Sequence, residues 1–355
     1  MALFKFILRR LFLAVVMFLV ITAALYGIMM LAPAEARAMM YMPSGGRGND
    51  VNLIKTIIRE HGLDDPYPVQ YVRWLLSLVQ GDWGWSPTLS EEVLAALVKR
   101  TPVTIELTLY SVLLFIPIGL ISGVVAGWKR GRPIDHGLRL VAFIGTSIPP
   151  FIMGLILLAI FYVGLHWFMP GRISISNELD IRSDAFRTIT GLLTVDGLLN
   201  SRPDITVDAL RHLALPVFSL SLAHWATLMR VTRTAIIEEL DKEYVTAAWG
   251  RGLPYALAVW RHALRNAMVP ALNSSALSAA ALVTGVFVVE IVFSLPGVSK
   301  PLTQPALAGA FFFAPDVAAM MGFAVYGMFM VLPLMVILDF LQAVIDPRIR
   351  EGVLS

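Results

Sequence analysis

The 355-residue sequence contains no cysteine, which excludes a disulfide framework and any thiolate metal centre. It is also poor in charge. Only 15% of its residues are charged and 57% are hydrophobic, whereas soluble chains carry about 45–50% apolar residues, so a bilayer is its main solvent. Signatures of catalysis are missing too. Without a Gly-x4-Gly-Lys-Ser/Thr loop the chain cannot cradle ATP by that route, and without His-Glu-x-x-His, a paired histidine cluster or Gly-x-Ser-x-Gly it lacks the usual hydrolase centres. The formal charge of +3 is mild and lies beside apolar runs, so no nucleic-acid partner is needed to explain it. No internal repeat of about 20–50 residues and no low-complexity tract is present.

What is present is a series of apolar runs, at about 11–32, 103–127, 140–169, 212–229, 269–293 and 317–345. The first follows Lys5, Arg9 and Arg10 and precedes Ala34-Glu35-Ala36, which looks like a signal cleavage site. At about 21 residues it exceeds a signal core and suffices to cross a bilayer, so it reads as an uncleaved span. The second holds Glu106 near its end, too shallow for an intramembrane acid of functional weight. In the third, Pro149-Pro150 must interrupt the backbone ladder, either as a packing kink or because the break faces a water-filled path. The fourth contains His224 and Trp225, the histidine reading as hydrogen-bonded filler. In the fifth, Asn273, Ser274, Ser275, Ser278 and Thr284 make a polar side, while Ala276, Ala279, Ala280, Ala281 and Gly285 permit close helix approach. Asn273, Ser274, Ser278 and Thr284, with Pro149 and Pro150, are therefore candidate pathway-lining residues. The sixth carries Pro333 and Asp339. Two polar excursions, 33–101 and 171–211, alternate with these runs. The first has a glycine-rich tip at Ser44-Gly45-Gly46-Arg47-Gly48 and three tryptophans, Trp74, Trp83 and Trp85, suited to anchoring a small cap at the membrane interface.

The stretch Asp241–Pro270 is different from every other connection. Glu243–Arg251 combines helix formers with the small residues Ala247, Ala248 and Gly250, and Gly252 followed by Pro254 marks a helix stop after about three turns. A second helical run follows over Tyr255–Asn266. On composition alone it is a positively charged juxtamembrane loop. Counting lysine and arginine on alternating sides gives 15 in about 68 residues for the side with both termini and this loop, against 13 in about 134 for the other. That asymmetry predicts both termini and the loop in the cytoplasm.

Glu243, Tyr244, Ala247, Ala248, Gly252, Leu253 and the run His262-Ala263-Leu264-Arg265-Asn266-Ala267-Met268-Val269-Pro270 resemble the cytoplasmic "EAA" coupling loop of ABC-importer permeases of the dipeptide/oligopeptide branch (the peptide/nickel/opine family). Trp249-Gly250 stands where that branch usually has Arg-Ala. Leu8-Arg9-Arg10-Leu11, Gly62-Leu63-Asp64-Asp65-Pro66, Gly81-Asp82-Trp83-Gly84-Trp85-Ser86, Phe293-Ser294-Leu295-Pro296-Gly297 and Asp346-Pro347-Arg348-Ile349-Arg350 resemble the same family in the same order. Phe313-Ala314-Pro315 and Gln342 depart from its usual acidic-Tyr-Pro and aromatic positions.

The resemblance implies an all-α polytopic membrane protein with about six transmembrane helices, a type I ABC-importer permease fold and an extracytoplasmic helical insertion after the first helix. Its expected division is a tail and first span at 1–32, an extracytoplasmic region at 33–101, a core at 102–345 with the coupling loop at 230–268, and a cytoplasmic tail at 346–355. The chain would be a non-catalytic, multi-pass subunit of the bacterial cytoplasmic (inner) membrane, binding no cofactor itself. Expected partners are membrane lipid, a homologous second permease, two ATPase subunits that bind ATP and Mg, and an extracytoplasmic substrate-binding protein. Glu243, Tyr244, Ala247, Ala248, Gly252, His262, Arg265 and Asn266 would couple to the ATPases. Peptides are the implied cargo, with nickel chelates, glutathione, opines or peptide antibiotics as alternatives in the same class. An ion-coupled secondary transporter is the remaining competitor, and it would need deep charges where only Asp339 is available.

Overall fold

The structure is a computed structural model that describes residues 2–38, 41, 51–86, 89–183, 185–300 and 316–345. The Ser44–Gly48 tip, Phe311–Phe313 with Pro315, and Asp346–Arg350 lie outside the described residues. The regular elements of the described chain are helices apart from one short hairpin, and its described residues divide into two compact units, those within 3–102 with 296–300 and 316–336, and those within 103–295 with 337–345.

In the first unit, helix α1 (Ala2–Met29) is apolar enough to cross a membrane over Ile7–Met29. A short turn, α2 (Ala34–Ala38), then delivers Arg37 into an insertion built from α3 (Val51–His61) and α4 (Tyr67–Val79). Arg37 is buried, yet its guanidinium is satisfied: it donates to Gln70 Oε1 at 2.6 Å and to the carbonyls of Leu63 at 3.0 Å and Ala32 at 3.2 Å. Gln70 in turn donates to the Leu63 and Asp65 carbonyls. A buried cation tolerates its desolvation only with such a full set of acceptors.

Trp74 departs from the expected interface position. It is buried and packs with its ring centroid 5.2 Å from Tyr26, beside Tyr71, because Tyr67, Tyr71 and Trp74 share one face of α4. Trp83 packs on Tyr326 and Phe329 of α14 (Val317–Ile345). Asp316 caps that helix, accepting from the Ala319 amide at 3.0 Å, and the Ser86 hydroxyl of the hairpin β1–β2 (Trp85–Ser86, Glu91–Glu92) donates to its other oxygen.

The second unit is arranged around α10 (Pro203–Leu240), a 38-residue helix. Its apolar window is 61% buried, the highest share among the long apolar helices, so it is the helix the others pack upon. α10 meets α6 (Pro133–Ser147), α7 (Pro150–Leu157), α9 (Leu193–Leu199) and α13 (Leu264–Val292). α5 (Val93–Trp128) approaches it through Gly119, Gly123 and Gly127, one glycine per turn on a single face. A Cβ built on Gly123 would lie 2.5 Å from Thr232 Cβ and 2.9 Å from the Met229 carbonyl oxygen; on Gly127 it would lie 2.7 Å from Ile236 Cγ2. Only glycine allows this separation.

Three of the expected spans take a more specific form. The third is broken where Pro149-Pro150 was expected to interrupt it: α6 and α7, with its π-helical continuation Leu158–Gly164, are bent by 103° there. The fourth extends well beyond its short apolar stretch, with Pro216 accommodated inside α10. The fifth is the inner part of a longer helix, since α12 (Tyr255–Ala258), a π-turn over Val259–Ala263 and α13 form one continuous helix of 38 residues.

The excursion after α7, containing α8 (Ile175–Ile181) and α9, is tied to α5 by Glu106. That buried carboxylate accepts from the Thr194 amide at 2.8 Å, from its hydroxyl at 2.6 Å and from Arg172 at 3.2 Å, so it holds the excursion in place. Replacing Gly123 with Leu should force α5 away from α10, at a cost of about 1–3 kcal/mol. The expected result is a lower thermal unfolding midpoint and a poorer yield of monodisperse protein in detergent; an unchanged midpoint would contradict this packing.

Candidate functional site

The polar connection between α10 and α13 folds into a small body on its own base. α10 ends at Leu240, Lys242 adopts an extended conformation, and α11 (Glu243–Gly250) runs for eight residues, just over two turns rather than the expected three. Glu243 sits in the first turn, where a carboxylate complements the helix dipole.

The helix stop is a Schellman motif. The Leu253 amide donates to the Ala248 carbonyl at 3.4 Å and the Gly252 amide to the Trp249 carbonyl at 2.9 Å, with Gly252 at φ +85°. Only the absence of a side chain makes that backbone conformation unstrained, because the space around Gly252 is open. The same bonding pattern closes α13, from Leu295 to Glu290 and from Ser294 to Ile291, with Ser294 at φ +55°.

Val245 and Ala248 are the buried side of α11, and Val245 packs with Val124, Ala235, Ile236, Ala258, Val259 and Ala263 in one apolar cluster. The opposite side is exposed. Glu243 and Ala247 lie on it, while Trp249, about 40° round the helix from Val245, flanks the buried side with 59% of its surface open and its ring 6.0 Å from Tyr255. Arg265 and Asn266 are exposed at the base of α13, and His262 is half-buried within the π-turn.

A residue that the sequence reading did not single out holds this body together. Glu239, one turn from the end of α10, accepts a hydrogen bond from the Tyr244 hydroxyl and a longer one, at 3.5 Å, from Asn266 Nδ2. Helices α10, α11 and α13 thus converge on one carboxylate. Burial, followed by this bond to an anion, pushes the Tyr244 hydroxyl up to about 12, so it remains a donor across the physiological range. A second unanticipated contact lies alongside: Arg233 of α10 grips Asp135 of α6 through two hydrogen bonds of 2.7 and 2.8 Å, and Asp135 also accepts from the Gly131 amide at 2.9 Å. A bidentate arginine–carboxylate pair fixes orientation as well as distance. Asp135 meets Arg233 over 98 residues and Glu239 meets Asn266 over 27, separations that no local pattern signals, although Tyr244 is only five residues from Glu239.

The candidate pathway residues do not form one stripe. At 100° per residue Asn273 and Thr284 share one face of α13, while Ser274 and Ser278 share another about 100° away. Asn273 and Ser274 are half-buried, Ser278 is buried and Thr284 is exposed. Pro149 and Pro150 sit at the α6–α7 bend, and α7 packs against α13 with Gly154 close to Phe293.

A helical body suspended from a membrane bundle by a glycine stop has a counterpart among known families. Residues 116–351 match the family described as "Binding-protein-dependent transport system inner membrane component", and residues 3–108 match its N-terminal companion, "Binding-prot-dependent transport system membrane comp, N-term". The chain belongs to this family. This permease subunit is similar to the "Di/tripeptide transport system permease protein DppB" of Pseudomonas aeruginosa (strain UCBPP-PA14), with 33% identity covering 98% of this chain and 99% of the relative. The "Probable D,D-dipeptide transport system permease protein DdpB" of Escherichia coli (strain K12) is 33% identical, covering 87% of each chain. The "Oligopeptide transport system permease protein AppB" of Bacillus subtilis (strain 168) is 30% identical over 97% of this chain and 99% of its own length. The permease is accordingly an all-α, multi-pass inner-membrane component of an ABC transport system, and its family is one of transport subunits rather than enzymes.

Changing Glu239 to Ala removes both acceptor bonds while leaving the apolar cluster intact. The loss should be about 1 kcal/mol of local stability, seen as roughly fivefold faster amide exchange over residues 243–250 with unchanged exchange in α5. Equal exchange in the variant and the parent would show that Glu239 does not anchor α11.

Proposed function

We propose that this permease forms half of the transmembrane pathway of a peptide importer and that α11 is the element through which cytoplasmic ATPases drive it. The observation that carries this reading is the architecture of α11: a short, rigidly stopped helix, fixed to α10 and α13 on one side and bare on the other. Small side chains on the bare side, Ala247 above all, admit a partner surface close to the backbone. Glu243 offers it a charge at the rim, and His262, Arg265 and Asn266 extend the surface onto the base of α13. Tyr244 and Ala248 act differently. Tyr244 fixes the helix through Glu239, and Ala248 sets its distance from the bundle.

On this reading both termini and α11 are cytoplasmic, as the lysine and arginine asymmetry favours, and segment 33–101 is extracytoplasmic. Two ATPases bind ATP and Mg, a second permease completes the pathway, and an extracytoplasmic binding protein delivers cargo. Closure of the ATPases displaces α11, and its attachments pass that displacement to α10 and α13, shifting the bundle between outward-open and inward-open populations. Candidate contacts along the way are Pro149, Pro150, Asn273, Ser274, Ser278 and Thr284. Peptide cargo is favoured because the three relatives named above are all called peptide permeases.

Gly252→Val should leave the subunit inserted and assembled while peptide uptake falls at least tenfold and ATP hydrolysis persists. Wild-type uptake in this variant would remove the coupling role of the glycine stop. Glu243→Lys should reduce the ATPase recovered with an affinity-tagged permease from mild detergent by severalfold; undiminished recovery would count against docking at that rim.

A further inference from the structure

Close to the Arg233–Asp135 clamp, a groove of about 590 Å³ opens between α6 and α10. Its walls carry His136, Arg139, Leu140 and Phe143 from α6 and Arg230 and Arg233 from α10. An adjoining recess of about 410 Å³ shares Arg139 and Arg233 and adds Arg130 and Glu238. Together the two hold four arginines against two carboxylates, Asp135 and Glu238. Arg233 is already committed to Asp135. Among the described residues Arg139 and Arg230 form no hydrogen bond or ion pair, and both are exposed.

The groove changes character along its length. His136, Arg139, Leu140 and Phe143 are spaced i, i+3, i+4 and i+7 and so occupy one stripe of α6, which carries the lining from basic to apolar over about 10 Å. Leu140 and Phe143 are 61% and 67% exposed. A small soluble anion would use the arginines and leave those two side chains without purpose. A phospholipid presents both features in the same order, a phosphate and then a chain. Basic pockets between transmembrane helices are suited to such headgroups, and planar guanidinium groups match phosphate oxygens better than ammonium groups do.

We infer that the α6–α10 groove is a binding site for an anionic membrane lipid, with Arg139 and Arg230 taking the headgroup phosphate and Leu140 and Phe143 lying along an acyl chain. The site abuts the clamp that orients α6 on α10, so an occupied groove bridges the same two helices as Arg233 and Asp135. This goes beyond the coupling role of α11 and does not depend on it.

The test uses the protein extracted from membranes with whatever subunits accompany it. A photoreactive phosphatidylglycerol, with its label on the acyl chain near the glycerol, is compared with the phosphatidylcholine probe of the same chain, and labelled peptides are mapped. The site predicts at least fivefold more label on residues 136–143 from phosphatidylglycerol, a comparable loss in R139A/R230A, a smaller loss in R139K/R230K, and no competition by excess glycerol phosphate. Equal labelling by the two lipids overturns the inference. So does competition by glycerol phosphate as strong as by lipid, which marks a small-anion site, or protection of 136–143 by a neighbouring subunit with no lipid label. The comparison of the two lipids is made on the unaltered protein, so it holds even where a variant assembles poorly.

Discussion

Between helices in a bilayer there is little hydrophobic gain from contact, because lipid chains are as apolar as leucine, and association depends on how closely backbones can approach. The Gly119–Gly123–Gly127 face of α5 meets that requirement against Leu228, Thr232 and Ile236 of α10. This contact seats the C-terminal part of α10, which also carries Arg233, which orients α6, and Glu239, which gathers α11 and α13. In the proposed mechanism this seating of α10 is what lets it take up a displacement of α11.

The helix α11 is attached by complementary means. Apolar packing of Val245, with Ala248 buried beside it, sets its distance from the bundle, and Glu239 sets its rotation through Tyr244. The Schellman stop at Gly252 prevents α11 from extending into α12, so the two helices meet at a defined corner. A longer or frayed helix would absorb motion in its own bending. In the proposed mechanism, eight residues with both ends defined serve as a lever.

Much of this was legible in the sequence, and for identifiable reasons. Gly252-Leu253-Pro254 marks a stop through local backbone chemistry, and Pro149-Pro150 marks a break because proline removes backbone donors; both features depend on adjacent residues only. The fifth apolar run ends outward at Trp260, Arg261, His262, Arg265 and Asn266, and the break it suggests between two helices is absent because the helix itself continues to Tyr255. Hydropathy reports the hydrocarbon thickness and not the helix length. Trp74 was assigned to the interface from its residue type, whereas its spacing with Tyr67 and Tyr71 placed all three on one face of α4. Glu239, Asp135 and Arg233 could not be found locally, since Asp135 meets its partner 98 residues away and Glu239 meets Asn266 27 residues away. The Gly-x3-Gly-x3-Gly face was readable from its four-residue spacing.

The absence of cysteine gives a direct route to the central claim, that the bare side of α11 is a docking surface for an ATPase. A single cysteine at Ala247, which is exposed at the middle of that side, would be the only thiol in the chain. Cross-linking with a short thiol-to-amine reagent in inverted membrane vesicles should join this position to the ATPase subunit, with a yield that changes between ATP-bound and nucleotide-free conditions. If the thiol at 247 instead reacts freely with an impermeant maleimide applied to intact cells and yields no ATPase adduct, α11 lies on the wrong side of the membrane and the coupling account fails.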